Sequence, residues 1–214
     1  MTPVPPAPDE VRAPHRLAGT LDGRTGARLS LGSSAATVDV RLTELPGLLY
    51  RISTPGDSGL TPQVTAVAGV LRLRLAPTGD PGDDAVQILL NRRVTWQIRL
   101  GVGAGEQHLD LDRGRISSVV VGAGAGLVRL RLPRPRGTVP IRLAGPVGSA
   151  EIDAPVPVRV RVGEGAGDVR LPWLVRHAVS AGTVLTPPGW PRASDRYVLD
   201  ARGQVGSLTV GTAR

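Results

Sequence analysis

Three kinds of residue in this chain have the types and spacing that chemistry uses: glycine clusters, carboxylates grouped near an arginine and a histidine, and paired arginines. The glycine clusters are GVGAG at 101–105, GAGAG at 122–126, GPVG at 145–148 and GEGAG at 163–167. A glycine-rich turn cradles phosphate when a helix follows it, because the helix N-terminus then faces the anion. Three of these clusters read GxGxG, and none reads GxGxxG. None has the GxxxxGK(S/T) pattern, and each is followed by a strand-like alternation. They predict sharp turns, where glycine takes φ > 0 at little cost, and no cofactor.

The carboxylates are Asp110, Asp112, Glu151 and Asp153, with Arg131 and His108 nearby. A polysaccharide-cleaving β-helix uses similar types, with acidic residues on neighbouring turns holding a metal and an arginine as base. The spacing here is wrong for that. Asp110 and Asp153 fall two turns apart, roughly 10 Å at the strand separation of a sheet, too far to share one ion. Arg131 falls between them, so the three predict a charge ladder worth about a few tenths of a kcal/mol per contact. His15, His108 and His177 are the only histidines, and no two have metal-ligand spacing. No G-x-S-x-G stands in the sequence, and no serine has a visible base. The expectation is therefore no catalytic, metal-binding or cofactor-binding residue, and no enzyme.

The paired arginines are more informative. Arg72 and Arg74, Arg129 and Arg131, and Arg159 and Arg161 alternate with apolar residues. Each pair therefore projects outward from one strand. Stacked strands would merge such pairs into a stripe able to hold phosphate or carboxylate bidentately. These six are the candidate residues for binding an anionic surface; the competing reading is a solvated, salt-bridged face. Three Trp, two Tyr and no Phe leave few rings for stacking bases, which argues against nucleic acid.

The elements that position these residues come from a repeat. The last glycines of the clusters, Gly105, Gly126, Gly148 and Gly167, are spaced by 21, 22 and 19 residues. Two positions on stand Gln107, Val128, Ala150 and Val169; four on stand Leu109, Leu130, Ile152 and Leu171. These columns are the inner face of a period-two strand, and the intervening charged columns are its outer face. A second alternating run follows in each unit: Ile98 and Leu100; Val119 and Val121; Val139, Ile141 and Leu143; Val158, Val160 and Val162. A unit of about 20 residues cannot bury its inner face alone, but stacked copies can. The predicted fold is an all-β, single-chain parallel β-solenoid (β-helix) with an irregular C-terminal cap. An all-β sandwich is the runner-up. The number of faces per turn is open.

Composition agrees. Apolar residues make up 41% of the 214, with no Cys, so the core must be Val, Leu, Ile and Ala, and disulfides are excluded. All basic side chains are arginine, and the net charge is +8, a modest excess that raises anionic partners. Residues 1–16 hold five prolines and predict a disordered lead-in. Residues 17–214 form the solenoid domain, with regular turns at 94–172 and a cap at 173–214. Residues 28–42 read as a degenerate first turn, in which Ala36, Val38, Val40 and Leu42 alternate. Gln63 to Leu75 splits into two strands near Ala68-Gly69. Trp173 to Ala181 predicts a short helix or a covering loop. The last two alternating runs, Arg196–Asp200 and Val205–Val210, predict strands that close the open end. Neither a signal peptide nor an apolar run long enough for a transmembrane helix is visible. The default expectation is cytoplasmic, with peripheral envelope association as the alternative.

Trp96 to Gly105 (WQIRLGVGAG), the GAGAG followed by VRLRLP, and the later Gly189-Trp190 with Asp195-Arg196-Tyr197 resemble a bacterial family of putative-adhesin and envelope stress-response domains of unknown function. The resemblance spans residues 28–210 and rests on structural motifs. It implies a β-solenoid, in that family often carried behind membrane helices, and brings no catalytic residues. The expected function is a scaffold or interaction module with a protein or anionic-surface partner. Two alternatives stand beside it: a self-assembling, bactofilin-like protein, and a polysaccharide-binding or polysaccharide-cleaving β-helix.

Overall fold

Alternation of β-branched and leucine side chains with polar ones gives strands almost throughout the computed structural model, which describes residues 12–212. The first are β1 (His15–Thr20), β2 (Gly26–Leu31), β3 (Ala35–Thr43), β4 (Leu48–Thr54), β5 (Leu60–Val67) and β6 (Val70–Pro77). Then come β7 (Ala85–Asn91), β8 (Thr95–Leu100), β9 (Ala104–Asp110), β10 (Arg115–Val121), β11 (Ala125–Arg131) and β12 (Thr138–Leu143). The last are β13 (Val147–Ala154), β14 (Val158–Val162), β15 (Ala166–Leu171), β16 (Leu174–Val179), β17 (Val184–Leu185), β18 (Arg196–Ala201) and β19 (Val205–Thr212).

They form two open sheets. Sheet A has the order β1-β4-β7-β3-β9-β11-β13-β19-β15-β16, and sheet B the order β17-β14-β18-β12-β10-β8-β2-β6-β5. From β6 to β15 each odd strand lies in sheet A and each even one in sheet B. Their inner faces share one apolar core, in which Trp96 and Tyr197 are the largest fully buried side chains. Two sheets around one core are common to this fold and a sandwich. The interior pairings here are all parallel, however, whereas a sandwich is antiparallel. Antiparallel pairs occur only at the sheet ends: β1 on β4, β4 on β7, β15 on β16, β14 on β17 and β5 on β6. The β5–β6 hairpin turns at Ala68-Gly69, both with φ > 0 (49° and 77°), the turn type whose twist suits a two-residue connection.

The stacking departs from chain order twice. β2 and β3 lie between β6–β7 and β8–β9. β18 and β19 lie between β12–β13 and β14–β15. The expectation that the last two strands close the open end is therefore corrected: they are interior. Tyr197, Leu199 and Leu208 are at most 1% exposed, so these strands complete the core. The Trp173–Pro191 segment does reach the end. It is neither helix nor plain loop. β16 folds back on β15, β17 covers the edge of β14, and a short 3-10 helix follows at Trp190–Arg192. At the other terminus, the predicted disordered lead-in falls mostly on residues 1–11, outside the described residues; its last two residues, His15 and Arg16, belong to β1.

The last glycine of each cluster has a different cause from the one expected, while Gly165 within the fourth cluster is at φ 114°, as a turn requires. Gly105, Gly126, Gly148 and Gly167 are not at positive φ; each is the second residue of a sheet A strand. There the chain runs buried, exposed, half-buried, buried (Ala125, Gly126, Leu127, Val128), a break in the alternation that the stacked strands share, since the register is the same on both sides of the glycine. Neighbouring backbones meet at this break. A Cβ on Gly126 would lie 2.8 Å from the Gly105 carbonyl oxygen, and one on Gly148 would lie 2.6 Å from that of Gly126. Gly206 of β19 is seated between Gly148 and Gly167 in the same ladder.

Candidate functional site: two charged faces

The outer face of sheet A gathers the carboxylates into in-register rows. One row runs Asp39 (β3), His108 (β9), Arg129 (β11), Glu151 (β13), and the next runs Arg41, Asp110, Arg131, Asp153. They line a shallow groove of about 500 Å3. Charges in it are mostly answered by neighbours. Arg129 Nε donates to Glu151 at 2.8 Å, Arg41 pairs with Asp39 at 2.6 Å, and His108 meets Glu106 at 2.9 Å. The predicted ladder is in register, with Arg131 3.7 Å from Asp110. Asp110 is the strained member: burial raises its pKa first, Asp112 beside it raises it further, and Arg131 and Arg41 pull the other way. Asp39 holds the Arg41 guanidinium above its ordinary pKa by hydrogen bonding first and charge second. Among the described residues, no cluster of three or more His, Asp or Glu is arranged to hold a metal. His177 is on β16 against Asp168, far along the sheet from His108.

Sheet B presents a different surface. Its strands carry nine arginines: Arg28, Arg72, Arg74, Arg99, Arg115, Arg142, Arg159, Arg161 and Arg196. None is buried. Against them stands one acidic residue, Asp200. Strands of sheet A carry seven arginines and six acidic residues. Among the strands, the excess of positive charge therefore sits on sheet B.

The six predicted arginines divide between the faces. Arg72, Arg74, Arg159 and Arg161 are on sheet B, and Arg129 and Arg131 are on sheet A. They do not form one stripe. Arg129 and Arg131 have acidic neighbours. Arg159 lies 4.9 Å from the ring centre of Trp190, which Arg196 also covers at 4.7 Å, cation–π contacts that fix both guanidiniums. Arg72 and Arg161 do share a row. It passes through Arg72, Ser30, Arg99, Val120, Arg142, Asp200 and Arg161 on successive strands. Sequence reasoning missed Arg99 and Arg142, because neither belongs to an Arg-x-Arg pair. Alignment of Arg99 with Arg142 across the Val119/Val121 strand was the available signal; Arg72 could not be placed, because β2 intervenes out of chain order. Asp200 accepts from Arg202 at 2.8 Å and lies 3.5 Å from Arg142. Among the described residues, Arg72, Arg99 and Arg161 have no ion-pair partner.

Residues 74–153 match a family model, the N-terminal domain of toast_rack, DUF2154. No curated protein matches the chain. Among solved structures, a "putative cell adhesion protein" from Clostridium sporogenes is similar over 94% of this chain and 100% of its own, at 16% identity and a TM-score of 0.69. Two proteins each described as a "putative adhesin" also align at 11% identity. The one from Bacteroides fragilis covers 92% of this chain and 97% of its own with a TM-score of 0.30. The one from Parabacteroides merdae covers 94% and 96% with a TM-score of 0.25. The Clostridium likeness is one of fold alone, and the other two carry no argument. The chain thus resembles putative-adhesin domains of unknown function, as its glycine and strand motifs suggested. No helix among the described residues is long and apolar enough to cross a membrane.

Proposed function

We propose that this chain is a non-enzymatic β-solenoid interaction module whose binding surface is the outer face of sheet B, acting in peripheral association with the cell envelope. The observation that carries this reading is the charge division: nine arginines against one aspartate on sheet B. A surface of one sign raises the local concentration of oppositely charged partners. Parallel pairing of strands that alternate between two sheets supports the solenoid reading. Antiparallel strands at all four sheet ends interrupt the parallel stack there and support a closed module over a continuous end-to-end stack of turns. The name of the Clostridium protein points in the same direction, toward surface attachment.

The test is binding to phosphatidylglycerol vesicles, an acidic polysaccharide and duplex DNA at low salt and at about 0.5 M salt, where the Debye length shrinks to a few ångströms. Binding to at least one probe, lost at high salt, is expected. Absence of binding to all three at low salt overturns the reading.

A further inference from the structure

We infer that the arginine row on sheet B is a subsite for an acidic polysaccharide, a linear polymer lying across the strands with its carboxylates on Arg72, Arg99, Arg142 and Arg161. The inference rests on sheet B being the binding face and names its occupant. Spacing is the first argument. The four arginines fall on every second strand, β6, β8, β12 and β14, with β10 between the middle two and β18 before the last. Adjacent strands are roughly 4.8 Å apart, so Arg72 and Arg99 are separated by roughly 10 Å, as are Arg99 and Arg142, and the row spans roughly 29 Å. A polysaccharide with one carboxylate per pair of sugar rings places its charges at about that interval. Nucleic acid places a phosphate about every 3.4 Å along a strand and needs stacking rings, which this face does not offer: the tryptophan of β8 and the tyrosine of β18 are buried.

The chemistry between the arginines is the second argument. Ser30 and Val120, the residues separating the first three, are shorter than arginine, so the guanidiniums stand above them. Thr65, Gln97 and Ser118 lie on the same face, hydroxyl and amide groups of the kind that bind sugar hydroxyls. Guanidinium meets carboxylate bidentately. A bilayer contact uses bulky apolar side chains such as Trp, Phe and Leu that enter the headgroup region; the outward apolar residues here are Val67, Val70, Val120, Val184, Val198 and Pro140, with none of those three types among them. Shape is the third argument. At the Arg161 end the face is concave, a groove of about 490 Å3 between Arg142, Arg159, Arg161, Val184 and Asp200, wide enough to seat a sugar ring.

The experiment is calorimetric titration with hyaluronan oligosaccharides of increasing length, which carry one carboxylate per disaccharide. Affinity is expected to rise with each disaccharide and to level off at about four, the number of arginines in the row. Arg72→Glu and Arg99→Glu should each weaken binding about tenfold, while Arg170→Glu on sheet A changes it less than about twofold. Equal binding of neutral dextran, an affinity independent of length, or an equal loss with Arg170→Glu overturns the inference. Salt-sensitive binding of phosphatidylglycerol vesicles or DNA that depends on Arg99, with no hyaluronan binding, overturns the polysaccharide and leaves the binding face standing. No binding to any of them overturns both.

Discussion

Sheets A and B are made from the same units, wound from the same chain, yet their outer faces carry opposite electrostatic designs. On sheet A, acids and arginines alternate across strands: Glu151 against Arg129 and Asp110 against Arg131. On sheet B, arginines face serine, valine and glutamine, and a single aspartate serves both Arg142 and Arg202. The fold demands neither pattern, because outer columns only need to be soluble. A face that balances its charges across strands is consistent with a structural wall. A face that leaves Arg72 and Arg99 without acidic neighbours, and Arg161 without an ion pair, accepts self-repulsion, which is stabilising only when something anionic arrives.

The largest effect should come from the close backbone contact inside the strands of sheet A. Gly148→Val puts a side chain against the Gly126 carbonyl oxygen, 2.6 Å from the position of its Cβ. Backbone cannot move aside in a stacked ladder, so we expect a loss of about 3 kcal/mol in urea unfolding. Ser30→Val on the outer face of sheet B should stay within about 0.5 kcal/mol. Equal costs at the two sites would remove the distinction between the glycine ladder and the regular sheet.

The inner faces differ as well. Gln107 on sheet A is fully buried, and neither its amide oxygen nor its nitrogen has a hydrogen-bond partner. Its column neighbours are Val38 and Val128. Gln107→Leu should therefore raise stability by about 2 kcal/mol, the cost of an unmatched buried amide. Tyr197 on sheet B is equally buried, but its hydroxyl donates to the Pro133 carbonyl at 2.6 Å, and burial raises its pKa. Tyr197→Phe should cost about 1 kcal/mol, because it strands that carbonyl. A destabilised Gln107→Leu would show that the amide is matched by buried water.

Much of this was legible in the residues. Period-two columns placed Leu109, Leu130 and Ile152 inward and the Asp110–Arg131–Asp153 row outward, and the register agrees. Stacking order was not legible. Local alternation says that Val205–Val210 is a strand, but nothing in that run says whether it pairs with β13 or ends the sheet, since parallel neighbours share no turn. For the same reason the row from Arg72 to Arg161 could not be assembled from sequence: β2 and β18, which complete it, come from distant parts of the chain. The last glycine of each cluster was assigned to the right place for the wrong reason. A turn and a close backbone approach both call for glycine, and only the carbonyl of the adjacent strand tells them apart.

A smaller effect tests the outer faces through stability. Arg129→Gln removes the partner of Glu151 and should cost about 0.5 kcal/mol at low salt. Arg99→Gln removes one repulsive charge from an unbalanced row and should be neutral or stabilise by about 0.3 kcal/mol. Added salt should shrink both differences. Two losses of equal size would mean that sheet B's arginines are paired in solution.

The smallest effect depends on pH. Burial and the neighbouring Asp112 raise the Asp110 pKa, so between its unfolded and folded values the native state holds the proton more tightly than the unfolded chain does. Stability from this group is then greatest at acid pH and falls as pH rises through that window. Asp110→Asn has no such proton to lose. Its stability should match the wild type near pH 3, taking about 3.9 as the unfolded value, and exceed it at neutral pH. The Asp110 side chain is 39% exposed, so solvent screening limits the gain to about a few tenths of a kcal/mol. Urea midpoints across that range measure it. A variant less stable than wild type at neutral pH would mean that Arg131, at 3.7 Å, outweighs burial and Asp112, and that sheet A balances its charges more completely than burial and Asp112 imply.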